Sequence, residues 1–114
     1  MSGITTHVLD TARGRPAQGV PVVLEVKEAG GEWKAVGRGA TEADGRVKQL
    51  LPEGSALLTG TYRLRFDTQA YFAAQKLEGF YPQVTVVFTV RDASQHYHVP
   101  LLLSPFGYST YRGS

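Results

Sequence analysis

The chain has 114 residues, 42% of them hydrophobic, which suits one domain with a core burying roughly two-thirds of the unfolded chain's surface. Its 12 basic and 10 acidic residues give a net charge of only +2 with no Lys/Arg cluster, arguing against nucleic acid, and its apolar runs are too short to span a membrane. It has no cysteine, which excludes disulfides, thiolate metal sites and a cysteine nucleophile.

Ile4 to Leu9 alternates as a short strand, with Ile4, Thr6 and Val8 on one face and Thr5, His7 and Leu9 on the other. The N-terminal stretch MSGITTHVLD lacks a basic region followed by a long apolar one, so no signal peptide is expected and the expected location is cytoplasmic. Asp10 to Gly19 is turn-rich, with Pro16 discouraging ladder pairing. Val20 to Glu28 is a second strand, with Val22, Leu24 and Val26 facing one way; Gly30-Gly31 turns it into a returning strand from Trp33 to Gly37. Gly39 to Gly45 carries turn chemistry ending in Asp44-Gly45, and Arg46 follows at the start of a short strand around Val47 to Leu50.

After a loop from Leu51 to Gly60, Thr61 to Phe66 alternates Tyr62, Leu64 and Phe66 against Arg63 and Arg65, a half-buried strand with its charges on the wet face. Asp67 or Thr68 suits the cap of a short helix through Leu77, packing by Tyr71, Ala74 and Leu77. Gly79 to Pro82 is a turn, Val84 to Val90 the clearest strand, and Arg91 to Ser94 a turn. His96 to Leu103 and Tyr108 to Tyr111 complete the set. Seven or eight short strands with frequent turns and one short helix predict an all-β, antiparallel β-sandwich in a single domain, residues 1–114.

Alternation puts His96 and His98 on one sheet face, where two imidazoles could transfer protons or bind a metal. That face continues to Pro100 and Leu102, so it either passes from solvent into the core or the strand bends near Pro100. Three protein ligands plus water can make a catalytic zinc site, so His7, His96 and His98 could form one, on weak spacing evidence; no HExxH, GxSxG or phosphate-cradling glycine pattern occurs. Asp10, Asp44 and Asp92 sit in turns, where backbone capping is their ordinary role. Arg112 offers a guanidinium that could orient a carbonyl or simply pair with the chain terminus.

Two terminal stretches, THVLDTARGRPAQGVPV from Thr6 to Val22 and HYHVPLLLSPFGYSTYRGS from His96 to Ser114, closely resemble the transthyretin-related 5-hydroxyisourate hydrolases. The Asp44-Gly45-Arg46 turn, the segment from Tyr62 to Leu77, and FYPQVTVVF from Phe80 to Phe88 extend the resemblance over essentially the whole chain. It implies a transthyretin-like sandwich, a homotetramer of two dimers with active sites at the dimer–dimer interface, and hydrolytic ring opening of 5-hydroxyisourate in urate degradation.

The resemblance also implies catalytic roles for His7, Arg46 and His98, and a substrate-binding or pocket-forming role for Tyr111, Arg112, Gly113 and Ser114. It implies no metal and no other cofactor, and a small-molecule substrate rather than nucleic acid or membrane as partner. The two histidines would handle the water and leaving-nitrogen protons, in an order left open, while Arg46 stabilises oxyanion character. A transthyretin-type carrier of an aromatic ligand would share the fold without this His–Arg set; a non-catalytic interaction module is the other alternative. The chain departs from the family's common pattern at Phe106, often tyrosine there, and at Gly107, commonly polar, without losing a proposed catalytic group.

Overall fold

In the computed structural model, which describes residues 3–114, two β-sheets close on one apolar core. In chain order the elements are β1 (Gly3–Asp10), β2 (Arg15–Pro16), β3 (Pro21–Lys27), β4 (Trp33–Ala40), β5 (Arg46–Val47), β6 (Gly60–Phe66), α1 (Thr68–Ala74), β7 (Val84–Val90), β8 (His96–Ser104) and β9 (Gly107–Thr110). One sheet runs β2-β1-β8-β9, with β5 also on β1; the other runs β4-β3-β6-β7. β2 and β5 are two-residue pieces, and the remaining seven strands form the sandwich.

Period-two alternation produces the core. Ile4, Val8, Tyr97, Val99, Leu101 and Leu103 from the first sheet meet Val22, Leu24, Tyr62, Leu64, Phe66 and Val84 from the second, all buried. Each large side chain so buried contributes roughly 1.5–3 kcal/mol. Polar groups on these inner faces are satisfied: Thr6 Oγ1 donates to Val99 O at 2.6 Å, and Asp10 Oδ2 accepts from Tyr71 Oη at 2.6 Å. Burial and the adjoining Asp10 carboxylate raise the Tyr71 phenol above its usual range.

Several local expectations change. β1 and β8 pair in parallel, from Gly3↔His96 to Asp10↔Leu103, while every other described strand pairing is antiparallel. The chain between them crosses the second sheet, so the hairpin constraint that enforces antiparallel neighbours is absent. Pro16 does pair, opposite Leu9, because β2 lies at the sheet edge where its missing donor costs little.

β4 continues to Ala40, beyond the expected Gly37. Its glycines mark close approach rather than a turn: a Cβ on Gly37 would collide with Leu50 O, and one on Gly39 would lie 3.1 Å from Val47 Cγ1. Asp67 caps α1, its side chain accepting from Ala70 N at 3.0 Å, but the helix ends at Ala74. Lys76 adopts a left-handed φ of 58°, turning the chain so that Leu77 N bonds Phe72 O. The buried helix residues are therefore Thr68, Tyr71 and Phe72; Ala74 and Leu77 are exposed.

Candidate active site

The outer face of the first sheet carries His7, Arg46 and His98, three residues of the expected site. β1 turns Thr5 and His7 outward between its buried residues. The parallel register sets Thr5 opposite His98 and His7 opposite Pro100; on the other side, β5 sets Arg46 opposite His7. Residues far apart in sequence thereby share one patch, with the His7 and His98 ring centroids 6.5 Å apart and tilted by 36°.

His7 is held by the Asp44-Gly45 turn. Its Nε2 lies 2.8 Å from Asp44 O, and Val8 N bonds Gly45 O at 2.8 Å. A carbonyl oxygen only accepts, so Nε2 carries the proton and a neutral His7 leaves Nδ1 free. Gly45 has φ 80°, and a Cβ there would run into Val8 O and approach His7 Cδ2 at 3.2 Å. The Asp44 side chain receives the Arg46 backbone N–H at 3.1 Å, its carboxylate 3.9 Å from the Arg46 guanidinium and 3.7 Å from Lys48. That capping bond and those cations hold its pKa below the usual carboxylate range. Arg46, on the strand beside His7, keeps 45% of its side-chain surface exposed.

His96 and His98 do share a face, as alternation required, and a residue absent from the expected site joins them. Thr5 Oγ1 lies 2.8 Å from His96 Nε2 and 2.8 Å from His98 Nδ1. Strand alternation had already placed Thr5 beside His7, but the parallel β1–β8 register is what brings it to the other two rings. His98 is half-buried, and that burial, reinforced by the positive charge of Arg46, lowers its pKa below the ordinary imidazole value. Its neutral form is favoured, with Nδ1 on Thr5 and Nε2 turned elsewhere.

The chain end folds back on His98. Gly113 N bonds His98 O at 2.8 Å, in the register that pairs Leu101 with Thr110. The ladder lapses at Tyr111 and Arg112 because Pro100 has no N–H to give, and Thr110 Oγ1 donates to Pro100 O instead. A Cβ on Gly113 would lie 2.6 Å from His98 Cδ2 and 3.3 Å from Pro100 Cγ. The face thus passes from the exposed His96 to the buried Pro100 beneath this returning segment. Arg112 turns the other way, its guanidinium 4.7 Å over the Tyr97 ring and bonded to Gln95 Oε1 at 3.0 Å. Tyr111 is 57% exposed, and Ser114 is exposed immediately beyond Gly113.

The assembled groups are two imidazoles, His7 with Nδ1 free and His98 with Nε2 free, and the half-exposed Arg46 guanidinium. They suit proton transfer and stabilisation of an oxyanion. Among the described residues no three His, Asp or Glu side chains converge as a metal-binding group. At the unusual Gly107, a Cβ would meet only Ser104 Oγ at 3.8 Å, so a side chain fits there and the turn does not require glycine.

Residues 4–113 match the model of the HIUase/Transthyretin family. A 5-hydroxyisourate hydrolase of Mus musculus is 50% identical over 114 residues, covering 99% of this chain and 96% of the mouse protein. Among solved structures, 5-hydroxyisourate hydrolase of Klebsiella pneumoniae superposes with a TM-score of 0.85 at 34% identity, covering 99% of this chain and all of that one. Sea bream transthyretin in complex with thyroxine superposes with a TM-score of 0.90 at 35% identity, covering 96% and 93% of the two chains.

Proposed function

From its membership of the HIUase/Transthyretin family, to which the chain belongs, and from its outer-face imidazoles, we infer that it hydrolyses 5-hydroxyisourate. The product is 2-oxo-4-hydroxy-4-carboxy-5-ureidoimidazoline. The observation that carries the catalytic reading is the approach of the His7 and His98 rings, 6.5 Å apart between centroids, with Arg46 opposite His7 on β5.

A water held there donates one O–H to His98 Nε2 and the other to His7 Nδ1. His98 takes its proton as the water oxygen attacks the ring carbonyl carbon, and Arg46 binds the resulting oxyanion. The ring C–N bond then breaks as His98 returns that proton to the leaving nitrogen. The remaining water hydrogen departs through His7 as the product carboxylic acid ionises. Gly113 leaves the imidazole its space, Tyr111 and Ser114 border the substrate, and Arg112 anchors the tail on Tyr97. No covalent nucleophile is needed.

We assign these steps to one hydrolase domain, residues 1–114, acting in the cytoplasm within urate degradation, as a homotetramer of two dimers. The open face around Arg46 supports the assembly, since a second subunit would close it over the substrate. The closeness of the fold to thyroxine-bound transthyretin favours a carrier as the second reading. Freshly generated 5-hydroxyisourate, with spontaneous decay subtracted, separates the two. Wild-type protein should accelerate ring opening, and folded His98→Ala should lose about 10²–10⁴ of that rate. Hydrolysis by His98→Ala at the wild-type rate would remove His98 from catalysis; no hydrolysis by wild type would leave the carrier.

A further inference from the structure

We propose that the Thr5 hydroxyl relays a proton between His98 and the exposed His96, so that the charge created during water attack is carried at the sheet edge. The proposal rests on the hydrolytic reading and explains two residues that reading does not use. Thr5 Oγ1 is 2.8 Å from both His98 Nδ1 and His96 Nε2. A hydroxyl has one hydrogen to donate and two lone pairs that accept, so Thr5 can accept from one ring while it donates to the other, the arrangement a relay requires. When His98 Nδ1–H donates to Thr5 and Thr5 donates to His96 Nε2, His98 Nε2 is a bare lone pair, the state of a base. With every proton in the chain shifted, His98 carries Nε2–H, the state of an acid.

Hydrolysis needs both states in turn. As His98 Nε2 takes a proton from water, its Nδ1–H passes to Thr5 and the Thr5 hydrogen passes to His96 Nε2. His96 becomes the imidazolium. When the leaving nitrogen takes the proton from His98 Nε2, Thr5 returns a hydrogen to His98 Nδ1 and His96 Nε2 returns one to Thr5. Every atom is restored without a ring flip. The shift moves positive charge away from Arg46 and His7, which face His98 from β5 and β1. His96 is exposed and borders an open groove of about 380 Å³ that also contains Thr5, Lys48 and Glu53, so water solvates the displaced charge.

Kinetics and imidazole ¹⁵N shifts of the full-length protein test the relay separately from the hydrolytic reading. In the resting wild type, neutral His98 should carry its hydrogen on Nδ1, and isosteric Thr5→Val should abolish that preference. Thr5→Val and His96→Ala should each lower kcat by roughly a hundredfold, the low end of acid–base contributions, with KM little changed. Thr5→Ser should restore kcat, and added imidazole should rescue His96→Ala but not Thr5→Val. Wild-type kcat in His96→Ala, Thr5→Ser as slow as Thr5→Val, or a wild-type His98 protonated on Nε2 would each overturn the relay, even if the protein hydrolyses 5-hydroxyisourate. Failure of wild-type hydrolysis would reject the catalytic reading, and the ¹⁵N tautomers would still decide whether the hydrogen-bond chain exists.

Discussion

Arg46 acts on His98 without touching it. Burial comes first in lowering the His98 pKa, and the Arg46 charge follows, with His7 and His96 adding to it. A lowered imidazole pKa keeps the base neutral below the ordinary value of about 6.5, so the acid limb of kcat/KM should lie below that pH. The stability sign agrees: the unfolded chain binds this proton first, so the stabilising contribution is present above about pH 6.5 and is lost as pH falls through the folded pKa. Arg46→Gln should therefore do two things at once. It should cost about 10²–10³ in kcat through the lost oxyanion contact, and it should move the acid limb to higher pH by removing a nearby positive charge. A pH–rate profile measures both; a slower variant with an unmoved acid limb would mean that Arg46 serves substrate alone.

At the level of elements, the site depends on two glycines doing different work. Gly45 lets the β4–β5 turn lie against β1 in a left-handed conformation, while Gly113 leaves room beside the His98 ring. Gly113→Ala should displace that ring and lower kcat by about 10²-fold, the scale of a small misplacement of a catalytic group. Because Gly113 lies outside the hydrophobic core, the variant's thermal stability should change by less than about 1 kcal/mol. Steady-state rates beside a thermal melt check this, and wild-type kcat in a folded Gly113→Ala protein would refute the steric role.

The strands themselves were legible because Ile4, Thr6 and Val8, or Tyr62, Leu64 and Phe66, alternate cleanly between core and surface. Thr5 was not legible as a partner of His98, since nothing local in either strand specifies the parallel register between them. Gly37 and Gly39 misled for a related reason: glycine marks a turn and a close backbone approach alike, and only the Leu50 carbonyl packed on β4 decides which. Glu25 was likewise hidden. It is buried within β3, where burial pushes its pKa up, but hydrogen bonds and charge from Arg63 and Arg65 outweigh that and hold it ionised. The arginines expected on a wet face are its partners, and Arg63 also covers the Trp33 ring at 4.3 Å.

Across the whole molecule, β4 and β7 are the edges of one sheet; in the other, β9 is one edge and the two-residue strands β2 and β5 form the opposite one. β7 and β9 flank the same small, mostly apolar cleft, lined by Val86 and Phe88, by Tyr97, His98 and Val99, and by Tyr111 and Arg112. Val87 on β7 and Tyr108 on β9 are exposed, and Tyr108 joins Phe80 and Tyr81 in an edge-to-face aromatic cluster. Open edges beside exposed apolar side chains favour strand addition by a second copy. That contact would form a dimer and leave the outer His7–Arg46–His98 face free to meet another dimer. A closed site strengthens the Arg46–oxyanion interaction by excluding water. Specific activity should accordingly fall as the enzyme is diluted through the dissociation of the proposed tetramer, while circular dichroism stays unchanged. Sedimentation across the same concentrations should show the mass drop from about four chains in step with the loss of activity. A dissociated chain with undiminished kcat would show that one sandwich completes the site alone, and the proposed subunit contact would then have no part in catalysis.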